Sequence, residues 1–434
     1  MKKLVTFSDS SFLMGAVLFT LIFSFSSILI AQNIEKKDHR YGGYARLFSM
    51  GDNPYVVDPD NIKLNPAYAS MYSNFLWGDI GSNNGNPTDG NGQFAGVNFD
   101  LNNNLTLGLL LARDDFQSMS IARLDRDNIV NNINTTVGTN VIVPLNNNLE
   151  LLGAYKFGSF VVGLGVSYAS TSREVTPATG TGDKGTASQI GANLGLMGKV
   201  APGFEFDFSF SLLLPSATFE PGTAGADKIS GSNTFMYANA RAMVELSKKF
   251  TFVPTVDFFN GSGKVEVGAN STDLPSELAF GVGLGLQYKV DNLIIVGGPA
   301  FMYSSQSQAS TTTTPELKNS TMTFPAWNLG AEWGFTEWLY GRLGYVASTF
   351  SRTTQSPVTA TTVDELSFTG FGNGDVRLGL GFRFGGFNLD ATINDDVLRE
   401  GFNLVGGGTN ICLSFCKLRF FFFFVEGPPP QKVF

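Results

Sequence analysis

In the stretch Gly203–Pro215, GFEFDFSFSLLLP, phenylalanine takes every second position: Phe204, Phe206, Phe208 and Phe210. Glu205, Asp207, Ser209 and Ser211 fill the gaps. Successive side chains of a β-strand point to opposite faces, so this segment has one aromatic face and one acidic, hydroxylated face. The pattern recurs along the chain. Leu105, Leu107, Leu109 and Leu111 share a face. Leu278, Phe280, Val282, Leu284, Leu286 and Tyr288 stand against Gly281, Gly283, Gly285 and Gln287. Trp327, Leu329, Ala331, Trp333 and Phe335 stand against Asn328, Gly330, Glu332 and Gly334, and Val376, Leu378, Leu380, Phe382 and Phe384 against Arg377, Gly379, Gly381 and Arg383.

Tight turns join these runs in pairs, as hairpins require. They are Asn102-Asn103-Asn104, Gly158-Ser159, Ala201-Pro202, Lys248-Lys249, Asp291-Asn292, Glu337-Trp338 and Gly385-Gly386. Between hairpins lie longer polar stretches such as REVTPATGTGDKGTAS, SSQSQASTTTTPELKNS and SRTTQSPVTATTVDE, which read as loops. Seven turns give fourteen strands. Segments 72–81 (YSNFLWGDIG) and 410–420 (NICLSFCKLRF) are candidates for one more at each end.

A β-sandwich also alternates, but its outward face is rich in Lys, Glu and Thr. Here the polar face is glycine and small polar groups, which suits a crowded barrel interior. Runs of about nine to thirteen residues also fit tilted membrane-spanning strands better than soluble ones. The expectation is an all-β protein: a transmembrane antiparallel up-and-down β-barrel of 14 to 16 strands, with an N-terminal segment plugging the lumen. Short turns on one side and long connections on the other match the periplasmic and extracellular ends of outer-membrane barrels. Glu205, Asp207, Glu332, Arg377 and Arg383 are candidate lumen-facing residues. Pro215, Pro254, Pro299 and Pro325 fall inside strands, where proline cannot donate to the ladder, and are candidate kinks or openings.

Composition narrows the function classes. Only 15 % of the 434 residues are charged, and the net charge is −8 with no Lys/Arg cluster, so nucleic acid is not an expected partner. His39 is the only histidine and lies in EKKDHRYGG, just after the leader, which leaves His-dependent catalysis or zinc binding without a partner residue. No enzymatic activity and no cofactor are expected. Cys412 and Cys416 would lie roughly 13 Å apart along one strand, too far to pair with each other.

Lys2 and Lys3 precede an apolar run from Phe12 to Ile30, the form of a signal peptide cleaved after Ala31, although the run is also long enough to anchor. The expected organisation is a signal peptide over 1–31, a periplasmic or hatch-like segment over 32–71, a barrel over 72–420 and an atypical low-complexity tail over 421–434. Five phenylalanines in a row and Pro428-Pro429-Pro430 make that tail unlike a last strand, either a hydrophobic assembly tag or a frameshifted end.

The segment before the barrel lacks alternation. Asn65-Pro66-Ala67 can start a short helix, with Asn65 as N-cap and Pro66 in the first turn, and Tyr68, Met71 and Tyr72 then fall at helical spacing. Asp58-Pro59-Asp60-Asn61-Ile62, Asn65-Pro66-Ala67 and Tyr68, followed by a Gly-rich barrel, resemble the FadL-type outer-membrane transport family and its PorV-like relatives. The fuller family pattern has Gly-Leu after Asn-Pro-Ala, whereas Tyr68-Ala69 stands here. The resemblance implies a hatch in the lumen, with Asn65, Pro66 and Ala67 as its motif. It also implies passive transport of small hydrophobic solutes such as long-chain fatty acids. A PorV-like barrel that binds exported proteins or secretion machinery is the alternative. The expected partners are outer-membrane lipid, the barrel-assembly machinery, and either a hydrophobic small molecule or a secreted protein.

Overall fold

The computed structural model describes residues 41–81, 92–138, 140–311, 314–372, 374–393 and 413–416. The leader, His39, Cys412 and the tail over 421–434 lie outside these.

The strands form one closed antiparallel sheet. In chain order they begin with β1 (Phe75–Asp79), β2 (Phe94–Asp100), β3 (Leu105–Arg113), β4 (Asn147–Phe157), β5 (Phe160–Glu174) and β6 (Lys184–Ala201). Next come β7 (Phe204–Glu220), β8 (Ile229–Glu245) and β9 (Phe250–Val267). Strand β10 is in two pieces, Asn270–Asp273 and Ser276–Val290, both paired to β9. Then follow β11 (Leu293–Gln308), β12 (Leu317–Gly334) and β13 (Leu339–Pro357). Strand β14 is also in two pieces, Val363–Phe371 and Asp375–Phe384, both paired to β13. Last are β15 (Phe387–Ile393) and β16 (Leu413–Cys416). The eighteen extended segments thus make sixteen strands. Pairing of Trp77, Gly78 and Asp79 with Cys416, Phe415 and Ser414 closes the barrel.

All seven expected hairpins form, and the two end segments supply β1 and β16. The turn after β6 shifts by one residue, to Pro202-Gly203, where Gly203 takes a positive φ of 74°. Alternation places the apolar face outward: Leu109, Leu111, Phe210, Leu278, Phe280, Leu284, Trp327, Trp333 and Val376 are exposed. Asn98, Thr106, Gln189, Ser209, Thr255 and Arg342 are buried on the inward face. An apolar exterior around a polar interior is the arrangement of an outer-membrane barrel, because only a closed sheet leaves no unpaired backbone in lipid.

Two expectations need correction. The polar stretches read as loops are in part strand: β5 runs to Glu174, β6 starts at Lys184, β11 runs to Gln308 and β13 to Pro357. Only two residues separate β9 from β10. Strands β5–β9 and β11–β13 accordingly run to 15–19 residues, well beyond the length read from alternation alone. The reason is that Ser and Thr pair well on a pleated surface, so the hairpins continue past the apolar belt, where alternation no longer marks them.

The strand prolines differ among themselves. At Pro215 the β7–β8 ladder is interrupted between Leu213↔Phe235 and Ser216↔Ser232, and at Pro254 the β8–β9 ladder between Arg241↔Thr255 and Val244↔Phe252. At Pro299 the β10–β11 ladder is interrupted between Gly283↔Ala300 and Leu286↔Gly297. Register resumes unchanged at all three. Only near Pro325 does it shift, between Thr323 and Ala326.

Candidate functional site

Residues 41–72 lie against the inward face of the wall. Helix α1 (Tyr44–Ser49) packs against β13–β16, and the 3-10 helix Pro66–Ser70 against β3–β6. A second 3-10 turn, Pro59–Lys63, starts with a capping box: the Asp58 side chain accepts from Asp60 N–H, and Asn61 reaches back to the Asp58 N–H. In the expected Asn65-Pro66-Ala67 start, the Asn65 side chain accepts from Ala67 N–H at 3.1 Å. Its amide also donates to the wall, to Phe208 O at 3.1 Å and Leu196 O at 3.4 Å.

Two glycines let this turn approach the wall. A Cβ on Gly163 would lie 2.1 Å from Ala67 N, and one on Gly195 would lie 2.0 Å from Asn65 Oδ1. The Tyr55 ring is seated in the same way over Gly283 and Gly285, and its hydroxyl donates to Pro299 O at 3.3 Å. The glycine-rich inner face is therefore a docking floor.

Two buried charge networks fasten the segment. In one, Arg46 donates through Nε and Nη2 to Glu332 at 2.9 and 3.0 Å and through Nη1 to Asp58 at 2.9 Å. Glu332 also accepts from Arg342 Nε at 2.5 Å. Arg342 pairs with Asp390 at 2.7 Å, and Asp390 with Arg383 at 2.8 Å. The Arg383 guanidinium lies 4.2 Å from the Tyr41 ring centroid. Signs alternate along this chain, so each buried charge has an opposite neighbour.

In the other network, the Tyr68 hydroxyl donates to Asp207 at 2.8 Å, and Arg241 Nε donates to the same carboxylate at 2.9 Å. The remaining Arg241 donors reach Pro54 O, Val56 O, Asn61 Oδ1 and Tyr68 Oη. Burial, above all, holds the Tyr68 phenol well above its ordinary range, so it stays a hydrogen-bond donor.

Four of the five lumen-facing candidates thus touch the N-terminal segment: Asp207 at Tyr68, Glu332 at Arg46, Arg383 at Tyr41, and Arg377 at Asp52, with Arg377 also 3.9 Å from the Phe48 ring centroid. Glu205 shares the face but is exposed near the tight-turn end, 3.8 Å from Lys199. Sequence reading missed Arg46, Arg241, Arg342 and Asp390. Of these only Asp390 carries a clear signal, a charge in line with Asn388 and Thr392 and opposite in parity to Phe387, Leu389 and Ala391; the faces of Arg241 and Arg342 are mixed with aromatic residues.

The connection between β3 and β4 carries helix α2 (Ile129–Val137) and folds back into the barrel at the end opposite the tight turns. Asp125 starts the helix by accepting from Ile129 and Val130 N–H. Lys63 ties this connection to the N-terminal segment, donating to Ser118 Oγ at 2.7 Å. Next to it is a cavity of about 440 Å³. Met119, Phe259 and Ala279 line its apolar part, while Arg126, Glu277, Arg352 and several hydroxyl and amide side chains line the rest. Arg126 stacks 3.9 Å from the Phe259 ring centroid and pairs with Glu277 at 3.2 Å. Arg352 makes a 3.4 Å contact with Thr321 Oγ1 and has no carboxylate partner among the described residues. Among the described residues no three His, Cys, Asp or Glu gather as a metal centre.

No protein-family model matches the chain, and no curated protein does. Among solved structures it is similar to the FrpB iron transporter from Neisseria meningitidis (F3-3 variant; TM-score 0.38, 11 % identity, 73 % of this chain and 61 % of that one). It is likewise similar to the Pseudomonas putida toluene transporter TodX (TM-score 0.37, 10 % identity, 88 % of this chain and 100 % of that one). A third is the copper transporter OprC (TM-score 0.34, 9 % identity, 79 % of each chain). The chain spans 61 % of the length of FrpB. At these identities and scores the likeness names neither a family nor a ligand.

Proposed function

We propose that this protein is an outer-membrane barrel for the passive entry of small hydrophobic solutes with a polar end, of the long-chain fatty acid kind, and that residues 41–72 act as its hatch. The observation that supports the reading is the pairing of two features inside one wall: a cavity at the long-hairpin end and a segment fastened to the inward face by Arg46 and Arg241. In the cavity, Met119, Phe259 and Ala279 offer an apolar body its contacts, while Arg126 and the carboxylate-free Arg352 offer charge to an anionic end. Hydrogen bonding between Lys63 and Ser118 gives the cavity's loop a direct contact with the hatch.

The test is flux into liposomes carrying the purified protein, with a fluorescent long-chain fatty acid and its uncharged alcohol. Entry of the acid is expected above that of empty liposomes, and Arg352→Gln is expected to slow the acid more than the alcohol. Entry no faster than into empty liposomes would sink the reading.

A further inference from the structure

Glu150 stands on the inward face of β4, fully buried, yet neither carboxylate oxygen has a hydrogen-bond partner. Its polar neighbours give it no donor. Ser167, directly across the ladder, donates its one hydroxyl proton to Ile121 O at 2.7 Å. Asn148, two residues back on the same face, donates to Ile121 O at 3.2 Å and Ala122 O at 3.1 Å. Asn193 donates to Leu64 O at 2.8 Å. Neither amide can be turned round, because its Oδ1 would then meet a carbonyl oxygen. Asn148 Oδ1 and Asn193 Oδ1 are buried acceptors without partners, and the hydroxyl of Ser211, opposite Asn193 in the β6–β7 ladder, is buried without a partner as well.

A Cβ on Gly165 would lie 2.8 Å from Glu150 Oε1, 3.4 Å from Asn193 Cβ and 3.5 Å from Ile121 Cδ1, so glycine at this position is what lets the carboxylate lie over the strand beside Asn193. A buried carboxylate that accepts no hydrogen bond is costly until a positive species joins it. Carboxylate, amide and hydroxyl oxygens together are the donor set of a hard cation.

We propose that Glu150 and Asn193 Oδ1 hold a hard cation of the calcium or sodium class over Gly165, with Asn148 Oδ1 and Ser211 Oγ as flanking oxygens. The site lies where three parts of the molecule meet. Asn148 and Ser167 carry the loop at Ile121, and Asn193 carries the N-terminal segment at Leu64. An ion there fixes the side chains that hold both. A proton on Glu150 would supply a single donor and leave the other oxygens unmet. The inference is independent of any transport activity.

The experiment uses the full-length folded barrel in detergent and Glu150→Gln, which keeps the volume and removes the charge. Heat-modifiable gel migration reports that both are folded. After equilibration with calcium chloride and desalting, the parent should retain about one Ca²⁺ per chain and the variant none. In parallel, calcium or sodium chloride should raise the parent's unfolding temperature over choline chloride of equal ionic strength, and leave the variant's unchanged. Either response, present in the parent and absent from the variant, supports the site. No retention and identical salt responses, with an infrared band of a protonated carboxyl lost in the variant, would overturn it in favour of a neutral acid.

Discussion

Arg46 holds Glu332 through two donors, at 2.9 and 3.0 Å, and turns its third nitrogen to Asp58 at 2.9 Å. One side chain of the N-terminal segment thus completes a charge chain that otherwise belongs to the wall. Arg46→Ala leaves Glu332 and Asp58 buried with less cation than they need. Breaking such a pair costs about 3–5 kcal/mol. The docked segment is expected to loosen while the barrel stays folded. Protease cleavage within 41–72 of the heat-modifiable protein should rise, and an unchanged cleavage rate would place the anchoring elsewhere.

At the second network, Tyr68→Phe and Arg241→Lys should differ in size. Losing the phenol removes one donor from an Asp207 carboxylate that Arg241 still holds, about 1 kcal/mol. Lysine cannot reproduce the spread of Arg241 over Asp207, Asn61, Tyr68 and two backbone carbonyls, so that change should release the segment far more. The same proteolysis assay ranks them. Equal effects would contradict the assignment.

Gly163→Val puts side-chain carbon where Ala67 N now lies. The strand's outward face and ladder are untouched, so the barrel should still assemble, with the Asn65–Ala67 turn displaced and open to cleavage. Gly153→Ala, where the nearest atom to the new Cβ is at 3.4 Å, is the control and should do nothing.

On the outer face, Leu284→Arg exposes a guanidinium to hydrocarbon and should cost about 2–4 kcal/mol near the bilayer midplane. Urea titration of folding into lipid vesicles measures it. A null effect there, with normal folding, would mean that this face is not in lipid.

The sheet was legible because membrane barrels write their faces into the sequence with period two. The phenylalanines of GFEFDFSFSLLLP look outward, Asp207 looks inward, and seven short turns count fourteen strands. Strand ends were not legible, because beyond the lipid both faces meet water. Serine and threonine then extend the hairpins with no apolar face to mark them, as in β11 and β13.

The anchoring chemistry was legible only in part. A charged residue on the small-residue face, such as Glu332 or Asp207, declares that it faces the interior, since lipid would not tolerate it. Which charge it meets is a different matter. Arg46 and Glu332 are 286 residues apart, and local pattern holds no record of a contact across a closed lumen. The sequence alone therefore determined the barrel, its two faces and the Asn65 helix start, all consequences of neighbours along the chain. Only the tertiary structure decided that Arg46 pairs with Glu332, that Tyr68 and Arg241 share Asp207, and that Glu150 is buried without accepting a hydrogen bond. Those outcomes depend on closure, which brings distant strands and the N-terminal segment around one interior where these side chains are buried.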